Sequence, residues 1–259
     1  MKLNHLLNDE YSEISSHVET LIKKPDSSGV KKILDLYQRW YLPNYPASAT
    51  GQILDDAFFT RDDLLQFCMR LDAFQDHADF QNTGAFLSIL TNLHYEKTKT
   101  IEPYILLTNH LKNKIMGLGT RNNGATIHIL GDAEQGLCNN MTSGTVIVDG
   151  NVANFAAREM TSGKLIINGD CGSFACDRMY GGIFQAHSVE DFLGHNLSFG
   201  KIYVQKAGSY IGEGMIDGEI HINESYKSLS TRLLEDGKIG LGRGKIFHKG
   251  VQIFPEEKK

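Results

Sequence analysis

Positive charge is not in excess in this chain: 26 lysines and arginines face 31 aspartates and glutamates, for a net charge of −5. That balance gives no electrostatic case for nucleic acid or an anionic membrane surface, which both call for clustered cations. No apolar run approaches the roughly 18 residues that cross a bilayer. The start, Met-Lys-Leu-Asn-His-Leu-Leu-Asn-Asp-Glu, lacks the apolar core and cleavage site of a signal peptide. A cytoplasmic protein is expected, or one exported by a route that needs no such signal. The four cysteines form no Cys-x-x-Cys, so the common metal spacing is missing. Phosphate-binding loops are missing as well. Gly117-Leu-Gly119 has no strand–turn–helix context, and in Gly240-Leu-Gly242-Arg-Gly244-Lys245 the lysine is followed by Ile246 rather than Ser or Thr. Corner glycines account for both segments.

What is present is a repeat. Met141, Met160, Met179, Leu197 and Met215 recur every 18 or 19 residues, each followed three positions later by Gly144, Gly163, Gly182, Gly200 or Gly218. A strand is expected after each glycine: Thr145–Val148, Lys164–Ile167, Ile183–Ala186, Lys201–Val204 and Glu219–Ile222. A weaker sixth copy has Gly124 before Ala125–Ile129. So short a period excludes helix-pair repeats, which need about 33 residues or more. It suits one coil of a parallel β-helix, in which equivalent residues stack about 4.8 Å apart. The columns agree. Cys138, Ala157, Cys176, Gly194 and Gly212 are small, as a tight corner requires, and Ala133, Val152 and Cys171 are apolar. Val146, Leu165, Phe184, Ile202 and Ile220 form a ladder for burial, while Gly131, Gly150 and Gly169 mark a second corner. Cysteines in such columns read as buried filler, and Cys68 lies in a helical pattern.

These columns resemble the GXGXG β-helix domain shared by the C-terminal region of glutamate synthase large subunits and the C subunit of formylmethanofuran dehydrogenase. Gly150–Ile167 and Gly208–Ile220 carry the likeness, which covers about residues 115–223. The resemblance implies a right-handed β-helix that supports catalytic domains without holding the chemistry. The family's Gly-x-Gly before the anchor survives only as Gly212-Glu-Gly214. It is replaced by Cys138-Asn-Asn140, Ala157-Arg-Glu159, Cys176-Asp-Arg178 and Gly194-His-Asn196. No flavin, iron–sulfur, amidotransferase or molybdopterin segment is found, so neither a cofactor nor a metal is expected.

Residues 1–98 show helical periodicity instead. Helices are expected from Leu3 to Leu21, over Val30–Trp40, over Leu64–Leu71 behind a Thr60 cap, and over Thr83–Glu96. This region either caps an open β-helix end, which otherwise invites end-to-end self-association, or binds a protein partner through Trp40, Tyr41 and Tyr45. Residues 99–225 form the expected β-helix of six to seven coils. Residues 226–259 are read as a short helix, Ser230–Glu235, then an end-covering segment or one more coil.

One outward column runs Asn139, Arg158, Asp177, His195, Glu213, beside Asn140, Glu159, Arg178. Stacking would pair Arg158 with Asp177 and Glu159 with Arg178. It would also place His195 between Asp177 and Glu213, where it can serve as a general base. The plainer alternative is a solvated charge ladder. His128 and His221, each in Ile-His-Ile, are expected on the solvent face of their strands. The expectation is therefore an α + β protein acting as a non-catalytic scaffold or interaction subunit, for an oxidoreductase or amide-transfer assembly. The competing expectation is an enzyme whose wall site near Asp177, His195 and Glu213 takes a carbohydrate or similar polar substrate.

Overall fold

The structure, a computed structural model, describes residues 17, 20–21, 23–40, 59–230 and 243–255. The expected first helix lies largely outside these residues. Tyr41, Tyr45 and all but Ser230 of the expected helix 230–235 also lie outside them. The chain divides into two compact units, Met1–Phe74 and Gln75–Lys259.

In the first unit, helix α1 (Ser28–Trp40) buries Val30, Ile33, Leu36 and Tyr37, one stripe at helical spacing. Helix α2 (Arg61–Cys68) begins where expected. Thr60 Oγ1 accepts from the Asp63 amide at 3.1 Å, and Asp63 accepts from the Thr60 amide at 2.7 Å, closing a capping box. Asp63 also bonds Ser27 and leaves no room for a side chain at Gly29, so a single carboxylate ties the start of α1 to the start of α2. Tyr37 meets Phe67 and Phe74 edge-on, with centroids 5.1 and 5.2 Å apart.

The second unit is a β-solenoid of about six turns with parallel strands. Its single sheet runs in chain order from β1 to β9. The strands are β1 (Tyr104–Leu107), β2 (Asn123–Leu130), β3 (Ser143–Val148), β4 (Lys164–Cys171), β5 (Ile183–Val189), β6 (Lys201–Ala207), β7 (Glu219–Tyr226), β8 (Lys245–His248) and β9 (Val251–Phe254). All pair in parallel except β8 with β9. The six strands expected from the repeat are β2–β7. The segment expected as either a further coil or an end cover contributes β8 in parallel on β7, while β1 and β9 carry no repeat signal. The expected ladder of Val146, Leu165, Phe184, Ile202 and Ile220 stacks in register and extends to Ile127 and Ile246, all buried. A second parallel ladder joins Ala133, Val152 and Cys171.

The corner before each anchor is unusual. Its backbone is left-handed at every second residue: 117, 119 and 121; 136, 138 and 140; 155, 157 and 159; 174, 176 and 178; 192, 194 and 196; 210, 212 and 214. Twelve of these eighteen positions are not glycine. Each such residue costs on the order of 1 kcal/mol or more. Hydrogen bonds in both directions hold the conformation. Ala157 donates to Leu137 O at 2.9 Å in the preceding coil, and Glu159 donates to Asp177 O at 2.9 Å in the following one. The anchor column then requires the next glycine to stay bare: a Cβ on Gly163, at φ +92°, would lie 2.6 Å from Met141 Cε.

Helix α3 (Thr83–Thr98) belongs to this unit rather than to the helical one, and it covers the first corner. Ser88 Oγ donates to Gly117 O at 3.0 Å, and Asn92 Nδ2 donates to Arg121 O at 3.1 Å. Gly84 lets the helix approach, since a Cβ there would sit 2.0 Å from Met116 O.

Candidate functional site

The wall column assembles largely as the register predicts. Asp177 Oδ2 lies 3.2 Å from Arg158 Nε, and Asp177 Oδ1 lies 2.7 Å from His195 Nδ1. Glu159 Oε1 stands 3.6 Å from Arg178 Nη1. Two features differ from expectation. Asp177 is not solvated but only 4% exposed, because the side chains of adjacent coils close over it. His195 also does not bridge to Glu213. Its ring instead meets the Asn196 amide nitrogen, 3.1 Å from Nδ1 and 3.2 Å from Nε2. Nearly equidistant from the two ring nitrogens, the Asn196 nitrogen sits over the ring face rather than in line with either in-plane lone pair.

Beside this column stands an aromatic ladder that the sequence reading missed: Phe155, Phe174, Phe192 and Tyr210. Their rings stack with centroids 5.3, 4.5 and 4.8 Å apart, at interplanar angles of 19°, 3° and 11°. The signal was present, since each lies five residues before its anchor. It sat at the first left-handed position, where an aromatic residue is least expected. Arg158 lies 5.8 Å from the Phe155 ring, and His195 meets Phe174 and Phe192 edge-on. Because the rings cover one another's faces, little ring face is left for a pyranose to stack on.

Of the strand histidines, His221 keeps the outer face expected of it and His128 departs from expectation. His128 is 6% exposed, with Nε2 2.5 Å from Asp149 Oδ2, so it is buried on the outer side of its strand. Burial pushes the Asp149 carboxyl above its usual range, partly offset by a bond from Asn168. His221 is sandwiched between Tyr203 and Phe247, at 4.8 and 4.5 Å, and its Nε2 lies 3.0 Å from Glu219.

All four cysteines are buried and unpaired. Burial pushes the Cys138 and Cys176 thiols well up and the Cys171 thiol up to about 12, removing thiolate chemistry from this wall. Among the described residues, no group of His, Cys, Asp and Glu is arranged to hold a metal ion, and no helix is long and apolar enough to cross a membrane. Trp40 ends α1 and is half-buried.

No family model, curated protein or solved structure matches this chain.

Proposed function

We propose that the chain is a non-catalytic β-helix scaffold that binds a protein partner. Its solenoid would be a right-handed coil of the GXGXG type, the structural part of an oxidoreductase or amide-transfer assembly. One observation carries the non-catalytic reading: Asp177 is buried, with Arg158 Nε 3.2 Å from one carboxylate oxygen and His195 Nδ1 2.7 Å from the other. A general base needs a lone pair open to substrate, and the Asp177 carboxylate is closed off from solvent. The left-handed corners at 138–140, 157–159 and 176–178, where the resembled family carries glycine, support the GXGXG assignment.

The test is affinity purification of the tagged protein from its native lysate, followed by mass spectrometry and absorbance spectroscopy. A stoichiometric partner bearing a flavin or iron–sulfur chromophore is the expected result. A partner-free, colourless protein would refute it.

The Asp177–His195 contact favours the second reading, an enzyme acting at this wall. That reading predicts that Asp177→Asn with His195→Ala abolishes a measurable activity while folding and partner recovery persist.

A further inference from the structure

Among the described residues seven large apolar side chains are exposed; Ile101, Tyr210 and Val251 stand apart, and the other four lie together. Tyr180, Ile183, Phe199 and Ile216, respectively 50%, 37%, 52% and 57% exposed, all lie at one corner of the three coils that lead into β5, β6 and β7. Inter-coil hydrogen bonds stack Tyr180, Ser198 and Ile216, with Phe199 one residue further along its coil: Tyr180 N to Met160 O, Ser198 N to Met179 O and Ile216 N to Leu197 O. The floor between them is bare backbone, because Gly182, Gly200 and Gly218 admit no side chain. Towards β8 the corner opens into a groove of about 600 Å³, lined by Phe199, Lys201, Asp217, Glu219, Arg243 and Lys245.

The charge of this corner opposes that of the chain as a whole. One register column reads Lys164, Ile183, Lys201, Glu219, Lys245. Lys201 is held by Glu219 at 3.1 Å, and Arg243 by Asp217 at 3.2 Å. Among the described residues, Lys164 and Lys245 have no carboxylate within 4.0 Å. They bracket the apolar stretch four strands apart, about 19 Å. A patch of exposed aromatic and aliphatic side chains rimmed by cations marks an interaction surface rather than ordinary exterior.

We propose that this corner is the seat of the partner, and that it takes an extended acidic segment of a partner protein. The apolar side chains of that segment would cover Phe199 and Ile216, and its carboxylates would reach Lys164 and Lys245. A strand-like segment spanning 19 Å is roughly six residues long. The acidic character follows from the two uncommitted lysines. The apolar character follows from the four exposed side chains between them. The inference rests on the interaction reading above and gives it a location.

The test is fluorescence anisotropy with a labelled peptide, Gly-Glu-Leu-Tyr-Leu-Tyr-Glu-Gly, and its charge-reversed counterpart, in which lysine replaces both glutamates. Saturable binding of the acidic peptide is expected, about tenfold tighter than that of the reversed one. Phe199→Ser with Ile216→Ser should weaken it about tenfold. Lys164→Gln with Lys245→Gln should weaken it about fivefold and flatten its salt dependence. All four side chains point outward, so thermal unfolding of the variants should match the wild type. The proposal is overturned if no saturation occurs by about 1 mM, or if the reversed peptide or the variants bind equally well. Self-association that is lost in the Phe199→Ser/Ile216→Ser variant would assign the corner to a second copy and overturn the acidic partner. A lysate partner that co-purifies equally with this variant leaves the interaction reading standing but removes the corner as its seat. Recovery of no partner at all removes the interaction reading.

Discussion

Asp177 illustrates how stacking changes the meaning of a residue. A carboxylate that the pattern places on an outer wall becomes buried because its neighbours one coil away, Arg158 and His195, close over both oxygens. The sulfur atoms follow the same rule more simply, since the buried thiols of Cys138, Cys171 and Cys176 hold their protons far above neutral pH. The native protein should therefore not react with Ellman's reagent over minutes, whereas all four thiols should react in denaturant. A fast-reacting thiol in the native state would contradict the burial. Glu219 titrates in the opposite sense. The bond from His221, and after it the bond from Lys201, hold its carboxyl below the usual range. A depressed folded value means that its contribution is complete above the ordinary value of 4.5 and is lost as pH falls through the lower one. Glu219→Gln should thus be less stable than the wild type at pH 7, with the gap closing in acid. Urea midpoints at several pH values would check this, and a gap that persists at low pH would refute it.

The left-handed corner is the element that defines each coil. Ala157 is buried in it at φ +58°. Ala157→Gly relieves roughly 1 kcal/mol of backbone strain but gives up about 0.8 kcal/mol of methyl burial. The expected change in stability is under about 1 kcal/mol. Ala157→Val adds a β-branched side chain to the same backbone and the same packed space, and should cost about 3 kcal/mol or more. Chemical denaturation of the pair checks this, and two equal destabilisations would mean that volume rather than φ governs the site. The strands between corners are legible in the sequence because apolar alternation and a fixed period act together, which puts Val146, Leu165 and Phe184 in register. The aromatic ladder was not legible, since local preference argues against Phe155, Phe174 and Phe192 at positive φ. Only inter-coil hydrogen bonds and ring stacking, both remote in sequence, overrule that preference. His128 was misread for a related reason. Alternation gives the face of a strand correctly, but it cannot say what lies over that face.

At the scale of the solenoid, the repeat announces its interior coils and conceals its ends. β1 and β9 lack the anchor and glycine columns, and α3 reads as part of a helical region although it packs on the first corner. Ends escape a pattern search because covering an open coil requires a surface that differs from the repeat. The two ends are also covered differently. At the start, α3 bonds the carbonyls of Gly117 and Arg121 and sets Tyr95 against Gly124. At the finish, among the described residues, β8 is followed by the four-residue antiparallel strand β9, in which Val251 is 66% exposed. Each interior coil stands between two neighbours, so opening it breaks two interfaces, whereas opening the last breaks one. Hydrogen exchange should accordingly be slowest in β4–β6, intermediate in β2 under its helix, and fastest in β8 and β9. Equal protection at both ends would show that a β-hairpin seals a coil as well as α3 does, and would remove the asymmetry argued from these contacts.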